Sequence, residues 1–359
     1  MPAPEILELT SLRFIAALHV VVYHAFPLAG VDAPRWLTPL VHTGFISVGF
    51  FFVLSGFILS YAHCDPISGM RTPVAVFARS RFARLYPVYL LSFFLDAPRA
   101  IGYFVRSEMP GKALVAGLAY LSMMQAWVPR LAVAWNPAGW SLSDEVFFYA
   151  LFPFFASVLW RISSGWVPYL TAGMAVAPVA LSWTLTHKFG VWNGGPEWRS
   201  FGAYHPLVRF PEFLFGMAVG RLYFLHPKTR NGTQLVAFGL AGILYFLYTS
   251  GDYPPLVLHN GLLAPCHALV IYGLASGAGV RSLSSPWLIY LGRASYCLYL
   301  LHEPILNAVS WLAESTSQAR SPMLFTLALV CTVGISLAAY RWFEEPMRRR
   351  LAPRPFEKK

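Results

Sequence analysis

The chain has 359 residues, of which 57% are hydrophobic and only 12% are charged, and its formal net charge is +11. A soluble domain carries about 25% charged residues, so this composition excludes an ordinary soluble protein and indicates a polytopic membrane protein. The positive charge does not indicate nucleic-acid binding. The Lys and Arg residues lie mostly at the ends of apolar runs, as the positive-inside rule describes, and no nucleic-acid-reading motif accompanies them.

The cysteines and the ends of the chain place further bounds on the protein class. Four cysteines are scattered without metal-ligand spacing, so we expect neither a disulfide framework nor a bound metal. The N-terminus lacks a basic region followed by a small-residue cleavage site, so the first apolar run is expected to remain as a span. Apolar runs extend evenly from end to end, which predicts a single membrane domain over residues 1–359.

The first apolar run, residues 9–28, is long enough to cross a bilayer but carries Arg13, His19 and His24. A charged residue at membrane depth is by default a candidate functional residue. Arg13 and His24 are eleven residues apart, which returns them to within about 20° of the same helix face, roughly 16 Å apart along the axis. His19 points to the opposite side. The alternative is that Arg13 extends to an interface and His24 bonds a neighbouring helix.

The second run, residues 44–61, is uncharged and rich in small residues. Ser55 and Gly56 favour close helix packing in a membrane, which is the alternative to a site role for Ser55.

A polar loop, residues 63–84, then leads into a third span that ends near Tyr103. Arg79, Arg81 and Arg84 lie at its entrance and favour a cytoplasmic location for the loop. Three guanidinium groups also suit a phosphorylated ligand, which they can bind bidentately. Composition alone favours the first interpretation.

The segment 113–128 is a weaker apolar run, and the next span opens with Ser141, Asp144 and Glu145. This order is typical of a helix start with acids in its first turn, so helix capping is the alternative to a site role for the two acids. Glu145 is the stronger site candidate because it leads directly into an uncharged run.

The number of membrane crossings between two cytoplasmic segments must be even, and the count of apolar runs does not satisfy this. The basic 63–84 loop and the basic tail from about residue 344 are both expected in the cytoplasm, yet nine apolar segments lie between them. One segment must be re-entrant or interfacial, and 113–128 is the weakest. We therefore predict an all-α transmembrane bundle of about ten spans plus one such segment, with the 188–206 loop outside. The later spans are predicted at 167–186, 209–221, 232–249, 261–277, 287–312 and 323–343.

Several polar residues lie inside apolar runs. A histidine and a carboxylate at membrane depth are suited to acid–base chemistry. The residues alone leave open a membrane enzyme or a transporter. These polar residues are Arg13, His24, Glu145, Arg209, Arg293 and His302.

A series of motifs resembles the integral-membrane acyltransferase 3 family, in order and over nearly the whole length. The first is Arg13 followed, after ten residues, by His24. The others lie at 47–57, 81–87 (Arg-Phe-Ala-Arg-Leu-Tyr-Pro), 140–153 (beginning Trp-Ser-Leu-Ser-Asp-Glu), 292–302 and 345–346.

This resemblance implies transfer of an acyl group, usually acetyl, from cytosolic acyl-CoA to a hydroxyl of a cell-surface or lipid-linked glycan, such as exopolysaccharide or O-antigen. It implies acetyl-CoA as co-substrate with no bound cofactor, and a multi-pass protein of the bacterial inner membrane, surrounded by lipid. Contact with polysaccharide export machinery is a further expectation. Some relatives append an esterase-like domain, and this chain is expected to be a stand-alone member.

The resemblance also assigns roles to residues. It implies that His24 is catalytic, that Arg13 is essential with it, and that Glu145 is functional. We expect His24 to be the general base for the acceptor hydroxyl, with an acyl-histidine intermediate as an alternative. Asp144 departs from the family pattern and perturbs Glu145 by like charge.

The remaining expectations concern the donor and the competing function. Arg79, Arg81 and Arg84 are expected to hold the phosphates of acyl-CoA, which cannot enter hydrocarbon. The competing function is a transporter or flippase for a lipid-linked saccharide that uses the same polar residues. Further candidate site residues are Ser55, Ser141, Tyr149, Arg209 and His302.

Overall fold

The computed structural model describes residues 4–352, so the end of the predicted basic tail, 353–359, lies outside the described residues. A chain this apolar must pair its backbone groups within each segment, which favours helices. The α-helices are α1 (Leu7–Ala25), α2 (Thr38–Val41), α3 (Ser47–His63), α4 (Val74–Arg106), α5 (Pro110–Leu121), α6 (Trp140–Arg161), α7 (Val167–His187), α8 (Pro196–Tyr204), α9 (Pro206–Leu225), α10 (Gly232–Tyr248), α11 (Pro255–His259), α12 (Ala264–Ala275), α13 (Pro286–Arg293), α14 (Ser295–Ser315), α15 (Pro322–Ala339) and α16 (Glu345–Leu351).

Shorter elements connect these helices. The strands β1 (Cys64–Asp65) and β2 (Gly69–Met70) form an antiparallel pair between α3 and α4. A π-helix, Tyr340–Glu344, joins α15 to α16. The 3₁₀ turns are Phe26–Ala29, Gly44–Ile46, Gln125–Trp127, Pro137–Gly139, Ser164–Trp166, Ser250–Asp252 and Arg281–Ser284.

Within the described residues, 7 helical segments are long and apolar enough to cross a membrane. They contain α1, α3, α4, α6, α7, α12 and α15. The prediction of an all-α polytopic bundle is therefore confirmed. Helices α9, α10 and α14 have 20, 17 and 21 residues and complete the number of predicted spans, but the total of ten crossings stays a prediction.

Helix α3 lies at the centre of the bundle, where α1, α6, α9 and α12 pack on it. Its contact with α9 is made by backbone. A Cβ at Gly56 would lie 2.2 Å from the Phe213 carbonyl oxygen, and one at Gly216 would lie 2.1 Å from the Val53 carbonyl oxygen. The predicted close packing at Gly56 is therefore confirmed. It holds α3 against α9 in the centre of the bundle.

The weak segment 113–128 forms the 12-residue helix α5 followed by a 3₁₀ turn. A helix of this length rises about 18 Å, less than the roughly 30 Å of a hydrocarbon core. The segment is too short to cross a bilayer alone, which agrees with a re-entrant or interfacial assignment.

The prediction of one continuous span over 287–312 is wrong. The helix breaks at Ala294, between α13 and α14. Helix α13 is held against α1, because a Cβ at Gly292 would lie 2.0 Å from the Thr10 carbonyl oxygen. Although Arg293 lies inside an apolar run of the sequence, its side chain is not buried: it is 47% exposed and forms a 2.7 Å ion pair with Glu5.

The capping interpretation of Asp144 and Glu145 is also wrong. Helix α6 already begins at Trp140, its cap residue is Gly139, and no side chain caps it. Ser141 instead donates to the Ala138 carbonyl at 3.1 Å. The two acids therefore lie beyond the first turn, where their side chains face the interior of the bundle or a cavity.

Candidate active site

Helix α1 contributes residues to two cavities in the described part of the chain. Arg13 lines the first, which we call the arginine cavity, and His24 lines the second, the histidine cavity. The two residues are on one continuous helix, so the rise between them is about 16 Å. The structure thus separates the two predicted residues into different chambers.

The arginine cavity has a volume of about 100 Å³, and charged and hydroxyl-bearing side chains lie among its aliphatic and aromatic lining residues. Arg81 and Arg84 are three residues apart on α4 and therefore share a face. Glu145 lies among these arginines, and its carboxylate accepts a 2.9 Å hydrogen bond from the Tyr149 hydroxyl. The polar lining residues are Arg13, Ser55, Arg81, Arg84, Ser141, Glu145, Tyr149, Ser295, Tyr296 and Tyr299.

Arg79 does not line the arginine cavity, unlike Arg81 and Arg84. The sequence places all three in a loop, but α4 begins at Val74, so they follow helical geometry. Two residues correspond to about 200° around a helix, which turns Arg79 away from the cavity. Its side chain is exposed and donates to the Leu351 carbonyl at 3.2 Å. The structure therefore brings Arg81 and Arg84 together with Arg13 from α1 in the lining of the arginine cavity, and it leaves Arg79 outside that lining.

The histidine cavity has a volume of about 300 Å³ and is lined largely by aromatic rings. Tyr23 comes from α1 and Trp140 from the start of α6, whereas Trp192 and Tyr204 come from the 188–206 region. His24, His302 and Glu303 form a cluster in its wall. A ring-lined chamber with a few polar groups is the usual construction of a small-molecule site.

Hydrogen bonds fix the tautomers of the two histidines when both rings are neutral. Nδ1 of His302 lies 2.5 Å from the Tyr299 carbonyl oxygen, which can only accept, so Nδ1 carries the proton. Nε2 of His302 is then an acceptor, and it lies 3.0 Å from Nδ1 of His24, which must donate. This leaves Nε2 of His24 with a free lone pair, the form that a general base requires.

Glu303 lies beside the two histidines, a position that the sequence did not predict. Its Oε1 lies 3.5 Å from Nε2 of His24. When Glu303 is ionised both atoms are acceptors, so a hydroxyl that approaches them from the cavity can donate to Nε2 with the carboxylate beside it. The signal was present in the sequence: Glu303 is a carboxylate next to His302 within an apolar run.

The three side chains also have the spacing of metal ligands. Their donor atoms all lie within 4.8 Å of one another, which the scattered positions in the sequence did not predict. The lone pair of His302 already accepts from His24, however, and both rings are arranged as a hydrogen-bonded pair. We therefore treat the cluster as an acid–base group.

Arg209 lines neither cavity. It is fully buried, lies 3.0 Å from Glu212, and donates to the His259 carbonyl at 2.6 Å. His259 lines the histidine cavity and stacks on Phe45. The position of Arg209 indicates that it braces the wall of the histidine cavity and does not contact a substrate there.

Asp144 is also fully buried, and neither carboxylate oxygen has a hydrogen-bond partner within residues 4–352. It faces the bundle interior, whereas its neighbour Glu145 faces the arginine cavity. Asp144, the residue that departs from the family pattern, therefore lies next to the arginine cavity but does not line it.

The family whose description is "Acyltransferase domain" (acyltransferase 3) matches residues 6–341, nearly the whole chain. The chain belongs to this acyltransferase family. The predicted resemblance is confirmed, and the family membership makes the protein an acyltransferase in preference to a transporter.

Relatives support this membership along most of the length of the acyltransferase. Acyltransferase MdmB of Streptomyces mycarofaciens is 29% identical over 97% of this chain and 92% of its own length. The exopolysaccharide production protein ExoZ of Rhizobium meliloti (strain 1021) is 30% identical over 86% of this chain and 90% of its own. O-acetyltransferase OatA of Staphylococcus aureus is 24% identical over 95% of this chain and 57% of its own length. No solved structure matches the chain.

Proposed function

We propose that this acyltransferase is an O-acetyltransferase that moves an acetyl group from cytosolic acetyl-CoA to a hydroxyl of a cell-surface or lipid-linked glycan. The observation that carries the proposal is the pair of cavities of different character: one is lined by arginines, the other by aromatic rings around a histidine pair. The donor occupies the first and the acceptor the second. Such an enzyme belongs in a bacterial inner membrane, beside the machinery that exports the glycan.

The arginine cavity suits the donor because coenzyme A carries phosphate groups. Arg81 and Arg84 are in the first turns of α4, close to the basic α16, and present planar guanidinium groups that pair with phosphate oxygens. Glu145 lines the same cavity and balances part of this positive charge. Acetyl-CoA enters as a co-substrate, and no resident cofactor is required by this arrangement.

The histidine cavity suits a saccharide because sugar rings present C–H faces that pack on aromatic side chains and hydroxyls that need polar partners. Aromatic surface for the C–H faces comes from Tyr23, Trp140, Trp192 and Tyr204. Polar partners for the hydroxyls come from the cluster of His24, His302 and Glu303. Relatives named as an O-acetyltransferase and as an exopolysaccharide production protein support a glycan acceptor.

The chemistry begins at Nε2 of His24. This nitrogen accepts the proton of the acceptor hydroxyl while the oxygen attacks the thioester carbon, and the carboxylate of Glu303 stabilises the imidazolium that forms. The tetrahedral intermediate then collapses: the C–S bond breaks, the sugar ester remains, and the coenzyme A thiolate takes the proton from His24. His302 contributes by holding His24 in the productive tautomer.

Substitution of His302 tests this positioning role. His302→Leu removes the acceptor for Nδ1–H of His24, so we expect kcat to fall by about 10-fold or more, the effect of losing about 1.4 kcal/mol of orientation, with an unchanged KM for acetyl-CoA. His302→Gln keeps a carbonyl oxygen that can accept from Nδ1–H and should recover much of the loss. Equal losses in both variants, or a change in KM alone, would contradict the role.

The proposed function is tested by mass spectrometry of surface glycans and lipid-linked saccharides from cells with and without the protein. We expect an O-acetyl ester that is present with the wild-type chain and absent with His24→Gln. Identical ester content in all three strains would reject the proposal.

A further inference from the structure

The two cavities meet at a single polar side chain. In the described part of the chain, the residues that line both are Val48 and Tyr299. Val48 is aliphatic, whereas Tyr299 carries a hydroxyl. Tyr299 also lies one turn before His302 on α14, with 6.0 Å between the two ring centroids. A thioester that extends from the arginine cavity toward His24 therefore passes Tyr299, whose hydroxyl contacts Ser141 in the lining of the arginine cavity.

The direction of the hydrogen bond at this boundary follows from its neighbours. The Ser141 hydroxyl donates to the Ala138 carbonyl at 3.1 Å, which uses its proton. Tyr299 lies 2.8 Å from the same Ser141 oxygen and must be the donor in that contact. Both residues are buried. The Tyr299 hydroxyl thus donates its hydrogen bond to the Ser141 oxygen.

We propose that Tyr299 is a catalytic residue, whose hydroxyl leaves Ser141 and donates a hydrogen bond to the carbonyl oxygen of the thioester. This inference rests on the proposed acyl transfer. When the acceptor oxygen attacks, the carbonyl π electrons move onto that oxygen, which becomes an oxyanion bonded by Tyr299. When the carbonyl re-forms, the C–S bond breaks and the thiolate leaves with the proton from His24. Tyr299 keeps its own proton throughout, so the step balances without another reactant.

The position distinguishes Tyr299 from the other hydroxyl groups nearby. Tyr23 and Tyr204 line the histidine cavity alone, and Tyr149 lines the arginine cavity alone, where it donates to Glu145. A donor fixed within a buried wall stabilises developing charge effectively, because it needs little reorganisation during the reaction.

The test is Tyr299→Phe, which removes one oxygen atom and retains the ring. With detergent-purified, monodisperse protein, labelled acetyl-CoA and a saccharide acceptor, we expect kcat to fall about 10²–10³-fold, as for loss of an oxyanion donor. The KM for acetyl-CoA should not change. Tyr89→Phe is the matched control: Tyr89 is also buried, its hydroxyl donates to the Tyr120 carbonyl at 2.8 Å, and it lines neither cavity. This control should retain the wild-type kcat.

A second variant separates catalysis from structural support. Ser141→Ala removes the resting partner of Tyr299 and frees its hydroxyl, so we expect kcat to rise by up to about fivefold, the equivalent of one neutral hydrogen bond. In the double variant kcat should equal that of Tyr299→Phe alone. A kcat for Tyr299→Phe within about twofold of wild type, or an equal decrease for Ser141→Ala, would overturn the inference. Absence of ester formation by the wild-type protein would instead reject the proposed function itself.

Discussion

His24→Gln is expected to abolish ester formation, with kcat lowered by about 10²–10⁴-fold, the usual contribution of a positioned general base. Glutamine can form a hydrogen bond but cannot accept the acceptor's proton at neutral pH. Binding of acetyl-CoA should be unchanged, because His24 lines the histidine cavity, whereas the phosphate site that we propose is the arginine cavity. The measurement is the initial rate of labelled ester formation, with donor affinity measured separately on the same preparation.

His19→Gln is the matched control on the same helix. His19 lies on another face of α1, where its ring nitrogens contact the Ser47 hydroxyl at 2.9 Å and the Leu40 carbonyl at 2.7 Å. The His19→Gln protein should retain the wild-type activity per folded molecule, although its free energy of unfolding falls. Robust transfer by a well-folded His24→Gln protein would contradict the mechanism. Glu145 would be a poor replacement base for a distant acceptor, since it lines the arginine cavity.

Arg81→Ala and Arg84→Ala are each expected to raise the KM for acetyl-CoA by about 10–100-fold. A charge-assisted hydrogen bond contributes about 1.5–3 kcal/mol, and each variant removes such a contact to a donor phosphate. Lysine should restore only part of the affinity because it lacks the planar fork of a guanidinium. Steady-state kinetics with varied acetyl-CoA would show the change in KM with kcat largely retained.

Arg79→Ala provides the contrast that the structure adds to this experiment. Arg79 has the same charge and is two residues from Arg81, yet it points to Leu351 and is exposed. Its replacement should leave KM near the wild-type value. An equal rise in KM for all three variants would indicate a diffuse electrostatic effect and contradict a defined phosphate site.

The sequence predicted the features that depend on local spacing. Arg13 and His24 were assigned to one helix because both lie in the apolar run 9–28, and the structure places both on α1. The small residues around Gly56 likewise predicted close packing, which the contact with α9 confirms. Patterns of this kind need only the helical period and the properties of the side chains.

Local spacing could not predict that His24 contacts His302 and Glu303. These residues are 278 positions apart or more, so their contact depends on how α14 packs beside α1. The separation of Arg79 from Arg81 and Arg84 was missed for a different reason: hydropathy placed the start of α4 too late. The break at Ala294 was missed because the packing of Gly292 on α1 is a tertiary contact that leaves no mark in hydropathy.

We propose that the donor reaches the arginine cavity from the cytoplasm and the acceptor reaches the histidine cavity from the opposite face of the membrane. The direct test uses inverted membrane vesicles, with their cytoplasmic face outward, membrane-impermeant acetyl-CoA outside and the saccharide acceptor trapped inside. Single cysteines in the 63–84 and 188–206 regions, labelled with an impermeant reagent, verify the orientation. We predict that acetyl ester forms on the trapped acceptor and not on acceptor supplied outside. Ester formation on the outside acceptor, with none inside, would contradict the account.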